Sequence, residues 1–259
     1  MNKLTVEDLQ IDGRNVLMRV DFNVPLDGGK VADVKRIRAA LPTIRYVIEN
    51  GGRLILMSHL GRPKGRRVPE MSLKPCVAVL NDLLSREIGF VDDCIGDAVD
   101  AAVAGLGDGD VLLLENMRYY SQETDNDPQF AARLARAGDV FVNDAFGTAH
   151  RAHASTEGVT HHIDQCAAGY LMMKEIDYLG GVMETPAKPF MAILGGSKIS
   201  GKIDVIANLL QKVDRVLIGG GMAYTFFKAL GMEIGNSLLE EDKIEVAEKL
   251  LARGGDKIV

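Results

Sequence analysis

The chain has 259 residues, of which 47% are hydrophobic and 25% charged, and its formal net charge at pH 7 is −6. That length suits one large domain or two ordinary ones, and that composition is typical of a globular protein with a hydrophobic core. The acidic balance, with no basic run beyond the short segment from Arg62 to Arg67, argues against a nucleic-acid partner.

The N-terminal segment and the cysteines indicate the cellular setting. Acidic residues stand where a secretory signal needs an apolar run, and no apolar stretch reaches the roughly 20 residues of a membrane span. Cys76, Cys94 and Cys166 stand far apart, without the spacing of a zinc or disulfide motif. We therefore expect a cytoplasmic protein with reduced thiols, no metal site among these residues and no membrane partner.

Short apolar runs alternate with helical patterns along the chain. The runs that predict buried strands are Val16–Val20, Leu54–Met57, Val111–Leu114, Val140–Val142, Phe190–Leu194 and Val216–Ile218. The segments that predict helices are Val34–Ile48, Gly169–Val182, Ile203–Val213 and Glu240–Ala252. Pro42 interrupts the first of these, so that helix is expected to kink there or to start close by, and Gly51 is expected to end it. The alternation predicts an α/β fold of two Rossmann-like parallel-sheet domains with helices on both faces.

A change of pattern after the fourth predicted strand separates two parts of the chain. Residues 152–168 hold two adjacent histidines and no long apolar run, and a helical pattern follows them. We expect a first domain over residues 1–165, an interdomain helix and linker over residues 166–185, and a second α/β unit over residues 186–259.

Charged side chains follow the first four predicted strands, at the point where each strand ends. Arginines lie just past three of these strands, and another opens the first helix: Arg36, Arg62, Arg118 and Arg151. Because ligands of open parallel sheets sit at the carboxyl ends of the strands, we expect these arginines and His59 to converge. Guanidinium groups suit phosphate and carboxylate, so the sequence predicts a site for a small polyanion.

Alternative roles remain for these residues. The arginines could instead pair with nearby carboxylates, for which the candidates are Asp21, Glu115 and Asp144. His59, His150 and His153 belong to no HExxH-type pattern, which favours hydrogen bonding or substrate orientation over metal binding. No GxSxG nucleophile motif is present, which favours direct group transfer over a covalent intermediate.

The second unit carries glycines and lysines after its strands. The segment Gly196–Lys202 fits GxxxxGK, but Ile203 follows where a Walker loop needs Ser or Thr, which argues against a P-loop NTPase. Lys198 and Lys202 are four positions apart, so we expect them on one helix face, which is unfavourable unless an anion lies between them. The second strand leads into the glycines 219–221, which allow a phosphate or ribose to approach the backbone closely. These features predict a nucleotide site.

Seven segments resemble the phosphoglycerate kinase family, in the family's order and over essentially the whole chain. They are RVDFNVP (19–25), RIRAALPTI (36–44), MSHLGRPKG (57–65), LLLENMR (112–118), VNDAFGTAHRAHAS (142–155), LGGSKISGK (194–202) and IGGGMAYTF (218–226). The resemblance implies transfer of a phosphoryl group between 1,3-bisphosphoglycerate and Mg-ADP, giving 3-phosphoglycerate and ATP, as in glycolysis. It also implies a monomer whose two domains close around the reactants, with the helix Gly169–Val182 as hinge.

The resemblance assigns roles to individual residues of this sequence. The implied phosphoglycerate-binding residues are Asp21, Phe22, Asn23, Arg36, His59, Leu60, Gly61, Arg62, Arg118 and Arg151. The implied nucleotide-binding residues are Gly195, Gly196, Lys198, Lys202, Gly220 and Gly221. The implied catalytic residues are Arg36, Lys198 and Lys202.

The family's pattern continues past the position of Val259. The resemblance implies a further glycine-rich loop, an acid at the ribose and a magnesium-binding aspartate there, so we expect the protein ligand of Mg²⁺ beyond residue 259. The second domain is then incomplete in these 259 residues, and we expect this fragment alone to be inactive. The alternative is a truncated, non-catalytic module that holds 3-phosphoglycerate.

Overall fold

The computed structural model describes residues 3–259, which form two compact units divided between Asp177 and Tyr178. The strands of the first unit are β1 (Asn15–Arg19), β2 (Leu26–Asp27), β3 (Lys30–Val31), β4 (Arg53–Met57), β5 (Gly89–Val91), β6 (Val111–Leu114), β7 (Val140–Asn143) and β8 (Cys166–Ala168). Its helices are α1 (Lys35–Glu49), α2 (Lys74–Leu84), α3 (Asp97–Ala104), α4 (Ser121–Thr124) and α5 (Pro128–Ala135). Helix α6 (Tyr170–Glu184) contains the point of division, and the second unit holds β9 (Met191–Gly195), α7 (Ile203–Leu209), β10 (Arg215–Gly219), α8 (Ala223–Ala229) and α9 (Ile244–Gly254).

The first unit is built on a six-stranded parallel sheet with the order β5-β6-β4-β1-β7-β8. Strand β1 is central, and Val16 pairs in register with Leu54 of β4 on one side and Val140 of β7 on the other. Strands of this kind are buried on both faces, which is why continuous apolar runs located them in the sequence to within one residue. The predicted α/β class is confirmed.

Two hydrophobic layers hold helices against this sheet, one on each face. Alternate residues of β1 point to opposite faces, so Val16 lies in one layer and Leu17 in the other. Ile44 of α1 belongs to the Val16 layer, whereas Phe130 of α5 belongs to the Leu17 layer. The sheet is therefore covered on both sides, and its carboxyl edge is left for polar side chains.

Helix α1 runs without a break from Lys35 to Glu49, with Pro42 inside it. The expectation that the helix starts close to Pro42 is therefore wrong. Burial of Ile37 and Ile44, one on each side of Pro42, holds both halves against the sheet although the proline lacks an N–H. The helix ends before Gly51, as predicted, and Gly51 has a φ of +76°.

Several short elements gave no signal in the sequence. Strands β2 and β3 form a two-residue antiparallel hairpin, and β5 and β8 are three residues each at the edges of the sheet. Strand β8 begins at Cys166, within the segment assigned above to the linker, and pairs with β7. Edge strands of this length carry too few side chains for a recognisable alternation.

The second unit pairs β9 and β10 in parallel, with Arg215 opposite Met191. Its core gathers apolar residues of α7, β10, α8 and α9 together with those of the loops, among them Ile206, Val216, Phe226 and Leu250. Ile258 forms a parallel bridge with Val216, so the last residues pair with β10. None of the helices formed by residues 3–259 combines the length and apolarity that a membrane span requires.

Candidate functional site

A cleft of about 260 Å³ opens where β1, β4, β6 and β7 reach their carboxyl ends. It is lined by Asp21, Asn23, Arg36, His59, Gly61, Arg62, Arg118, Gly147, Thr148 and Arg151. The chain moves from β1 to β4 on one side and reaches β7 on the other, so this edge is the switch point at which open sheets bind ligands. The structure thus brings the four arginines and His59 to one place.

A second, larger cavity of about 630 Å³ shares three arginines with this cleft. The shared residues are Arg62, Arg118 and Arg151, and the additional lining comes from Lys64, Gly65, Ser121, Thr124 and His153. The two cavities therefore form one positively charged depression.

Carboxylates neutralise little of this charge. Arg36 pairs with Asp21, while Arg62, Arg118 and Arg151 make no salt bridge within residues 3–259. Three unpaired guanidinium groups that line one cavity repel one another, and an anion between them would remove that repulsion. This arrangement favours the ligand interpretation of the arginines over the pairing interpretation.

The other two carboxylates considered as arginine partners serve the fold. Glu115 accepts hydrogen bonds from Ser72 Oγ at 2.6 Å and from the Leu73 N–H at 2.9 Å, at the start of α2. Asp144 accepts from the Met172 N–H at 3.1 Å, near the start of α6. Both are buried, so neither is available to the arginines.

Arg118 is the most constrained of the cleft arginines, with 7% of its surface exposed. Its Nη1 donates to the carbonyl oxygen of Gly61 at 3.0 Å, while its buried Nε has no partner among the described residues. Burial and the neighbouring Arg151 lower the pKa of Arg118, although a guanidinium keeps its proton in proteins. A bound anion would offset both penalties.

The loops after β1 and β4 fix the shape of the cleft. The side-chain oxygen of Asn23 accepts the Gly61 N–H at 2.8 Å, and Asp21 accepts the Asn23 N–H at 3.2 Å. A Cβ atom on Gly147 would lie 3.3 Å from Asp21 Oδ2, so a side chain there would crowd the cleft.

His59 enters the cleft as a neutral ring. It is 4% exposed, and burial together with Arg19, Arg118 and Arg36 lowers its pKa to about 2. The histidine therefore contributes hydrogen bonding and no charge near neutral pH.

Two residues implied by the resemblance do not present their side chains to this cleft. Phe22 is fully buried and Leu60 is 4% exposed, and both belong to the core layer on the Val16 face of the sheet. Their backbone groups are also engaged, because the Phe22 N–H donates to Ser58 Oγ and the Leu60 oxygen accepts from Asn116.

A buried polar network beneath the cleft was missed in the sequence. Arg19 and Glu123 are both 0% exposed and are joined through Ser155, whose Oγ accepts from Arg19 Nε at 2.9 Å and donates to Glu123 Oε1 at 2.7 Å. Arg19 Nη2 reaches Nδ1 of His59 at 3.1 Å. The sequence signal for this network is Arg19, a charged residue inside the apolar run of β1.

In the second unit, two glycine loops approach each other closely. Gly220 has a φ of +71°, and a Cβ atom on it would lie 2.9 Å from the Gly196 oxygen. A Cβ atom on Gly221 would lie 3.1 Å from the oxygen of Ser197. The loops after β9 and β10 can pack in this way only because glycine occupies these positions.

Lys198 and Lys202 lie before helix α7, in a turn closed by the Lys202 N–H and the Ile199 oxygen at 2.7 Å. The prediction that they share a helix face is wrong, because the helix begins at Ile203. Glu240 explains the turn, since its Oε2 accepts the Ile199 N–H at 2.6 Å and the Ser200 N–H at 3.1 Å.

Glu240 thus accepts backbone N–H groups of the kind that bind phosphate in a Walker loop, which leaves the lysine side chains and the glycine backbone for a ligand. The hydrogen bond from the Ser200 side chain, the backbone donors of Ser200 and Ile199 and the charge of Lys198 lower the pKa of the Glu240 carboxyl, so it is ionised near neutral pH. Within residues 3–259 no group of three His, Cys, Asp or Glu side chains is placed to hold a metal ion.

The fold and the two sites define a two-unit α/β protein with an arginine-lined cleft in one unit and a glycine- and lysine-rich loop in the other. A family model described as phosphoglycerate kinase matches residues 6–259. The chain belongs to the phosphoglycerate kinase family.

Individual relatives agree with this assignment. A phosphoglycerate kinase of Chlorobium luteolum is 58% identical over 98% of this chain and 64% of its own length. One of Clostridium botulinum is 55% identical over 100% of this chain and 66% of its own length. The chain therefore spans about two thirds of the length of these curated relatives.

Solved structures of the family superpose closely. The phosphoglycerate kinase of Coxiella burnetii is 38% identical with a TM-score of 0.86, over 100% of this chain and 66% of that one. The enzyme of Pyrococcus horikoshii is 30% identical with a TM-score of 0.83, over 98% of this chain and 66% of that one.

Proposed function

We propose that this protein transfers a phosphoryl group between 1,3-bisphosphoglycerate and Mg-ADP, giving 3-phosphoglycerate and ATP. The bond between phosphorus and the acyl oxygen breaks, and a bond from phosphorus to the terminal oxygen of ADP forms. Such transfer needs positioning and charge stabilisation more than covalent chemistry. The observation that carries the proposal is the set of three arginines without carboxylate partners at the switch point of the first sheet.

The first unit holds the acid. Arg62, Arg118 and Arg151 bind the phosphate or carboxylate of 3-phosphoglycerate as paired N–H donors. Asn23 and the neutral His59 orient the substrate by hydrogen bonds. Arg36 lies at the start of α1, where a small shift away from Asp21 would let it approach the transferring group.

The second unit holds the nucleotide. The nucleotide can approach the protein backbone closely at Gly195, Gly196, Gly220 and Gly221. Lys198 and Lys202 place positive charge at its phosphates. The Mg²⁺ carried with the nucleotide would neutralise phosphate charge when bound. Since acid and nucleotide bind to different units, the reaction requires the units to close and exclude water, with α6 as the hinge.

We also infer a monomeric, cytoplasmic protein without nucleic-acid or membrane partners. The support against a nucleic-acid partner is a net charge of −6 together with four arginines that line one cleft, whereas a nucleic-acid binder presents an extended basic face. Sedimentation or light scattering in dilute solution measures the oligomeric state directly.

Phosphorus NMR of the protein mixed with Mg-ATP and 3-phosphoglycerate tests the proposal. We expect no acyl-phosphate signal from these 259 residues alone, and a signal from the protein extended to the length of its relatives, which disappears in Arg36→Ala and in Lys202→Ala. Binding of 3-phosphoglycerate without any transfer by that extended protein would favour the alternative of a non-catalytic binding module. If the folded protein neither binds 3-phosphoglycerate nor transfers a phosphoryl group, both hypotheses are refuted.

A further inference from the structure

The network beneath the cleft has a defined hydrogen-bond direction. The Nε–H of Arg19 can only donate to the oxygen of Ser155, so the hydroxyl proton of Ser155 is directed to the Glu123 carboxylate across 2.7 Å. The same carboxylate accepts the Ser155 N–H at 3.0 Å through Oε2, which fixes the side chain at both oxygens. The hydroxyl oxygen is then free only to accept, and it accepts Nε–H of Arg19 at 2.9 Å.

The direction continues from Arg19 to His59. A guanidinium has five N–H donors and no acceptor, so the contact between Arg19 Nη2 and His59 Nδ1 at 3.1 Å requires a bare Nδ1. A second anchor holds the guanidinium in place, since Nη1 donates to the carbonyl oxygen of Val20. The ring proton of neutral His59 must then sit on Nε2, for which no hydrogen bond to another described residue is found.

We propose that Glu123, Ser155 and Arg19 are positioning residues that hold His59 as the Nε2–H tautomer, a hydrogen-bond donor aimed at the anion in the cleft. Without this relay either tautomer is available, and the Nδ1–H form would turn a lone pair toward the negatively charged ligand. The Nδ1–H tautomer would lower the affinity for the anion, because a donor is replaced by an acceptor that repels it. The identity of the anion as 3-phosphoglycerate rests on the proposed function, whereas the tautomer does not.

The histidine that lines the larger cavity, His153, provides a comparison without the relay. His153 is 8% exposed, and its Nδ1 lies 3.8 Å from Glu123 Oε1, too far for a hydrogen bond. That nitrogen has no partner within residues 3–259. No contact therefore sets the tautomer of His153, and in the ligand-free protein it serves as an internal comparison for His59.

The test is a long-range proton–nitrogen NMR correlation on ligand-free protein with ¹⁵N-labelled histidine at neutral pH. We expect His59 to show a protonated Nε2 and an unprotonated Nδ1. A protonated Nδ1 in the unmodified protein would overturn the proposal, and this outcome needs no variant that folds.

The variant Ser155→Ala interrupts the relay, and Thr43→Ala removes another fully buried hydroxyl of the same unit, which bonds the Tyr170 N–H instead. We expect Ser155→Ala to give a mixture of His59 tautomers and to weaken binding of 3-phosphoglycerate about threefold to tenfold, the range for one hydrogen bond. Thr43→Ala should leave both unchanged. An unchanged tautomer and affinity in folded Ser155→Ala would refute the relay, whereas the predicted tautomers without any binding of 3-phosphoglycerate would refute the proposed function alone.

Discussion

At the scale of single residues, the cleft depends on charges that the fold has buried. Arg19 and Glu123 are completely shielded from water, and each would carry a large desolvation penalty alone. Ser155 links them, and the Ser155 N–H and Oγ both bond Glu123. The network therefore supports the fold as well as the site.

Replacing Glu123 by alanine should lower the free energy of unfolding by about 3–5 kcal/mol, because it leaves the Arg19 charge buried without its partner. Urea denaturation followed by circular dichroism measures this. As control, Glu245→Ala removes an exposed carboxylate that pairs with Lys249 at 2.7 Å, and it should have no measurable effect. Equal effects of the two changes would contradict the account of the buried network.

The cysteines differ in the environment of their thiols. Burial raises the pKa of Cys76 to about 12 and that of Cys94 well above the ordinary value, while half-buried Cys166 shows a smaller rise. Because the thiolate is the reactive form, we expect a thiol reagent at pH 8 to modify Cys166 first and the other two only after unfolding. Mass spectrometry of the modified peptides checks the order, and rapid labelling of Cys94 in the native protein would speak against it.

The convergence of the arginines could be predicted from the sequence, whereas the buried network beneath them could not. Arg62, Arg118 and Arg151 were found because they follow predicted strands, and parallel strands bring their ends to one edge. The link from Glu123 to Arg19 spans distant parts of the chain and has no spacing rule, so only the folded structure shows it.

At the scale of elements, the central strands were predictable to within one residue because they are buried on both faces and read as continuous apolar runs. Turns governed by a distant side chain were not. The segment from Lys198 to Lys202 was expected to be helical, but Glu240 draws the backbone N–H groups of Ile199 and Ser200 into a turn. A carboxylate that lies 40 positions after Ser200 in the chain competes there with local helix formation.

Helix α1 offers a direct test of packing against backbone preference. Pro42 is exposed in the interior of the helix, so replacing it by alanine restores an N–H donor without altering the buried face. We expect Pro42→Ala to raise the free energy of unfolding by about 1–3 kcal/mol. A lower free energy of unfolding in urea would indicate that the proline has a role that the helix geometry does not show.

Glu240 gives a prediction for the loop of the second unit. Glu240→Ala frees two backbone donors and loosens the turn that carries the lysines, so we expect Mg-ADP to bind about tenfold more weakly. Glu240→Gln keeps one acceptor oxygen and should lie between the parent and the alanine variant. Calorimetry with Mg-ADP measures this, and tighter binding by Glu240→Ala would indicate that the carboxylate competes with the nucleotide rather than shaping its site.

At the scale of the whole molecule, two units with separate cores should respond separately to their ligands. A ligand stabilises the unit that binds it, by about 2.7 kcal/mol at a hundred times its dissociation constant. We expect 3-phosphoglycerate to slow hydrogen exchange in β1, β4 and β6 with little change in β9 and β10. Equal protection of both sheets would contradict independent stabilisation of the two units.

The central claim is that the arginine cleft of the first unit binds 3-phosphoglycerate, and a calorimetric titration at low salt tests it most directly. We predict saturable binding by the parent protein, at least tenfold weaker binding by Arg118→Ala, and unchanged binding by Arg136→Ala, whose arginine pairs with Asp100 outside the cleft. A folded parent protein that takes up no 3-phosphoglycerate, or an Arg118→Ala variant that binds as well as the parent, would contradict the account.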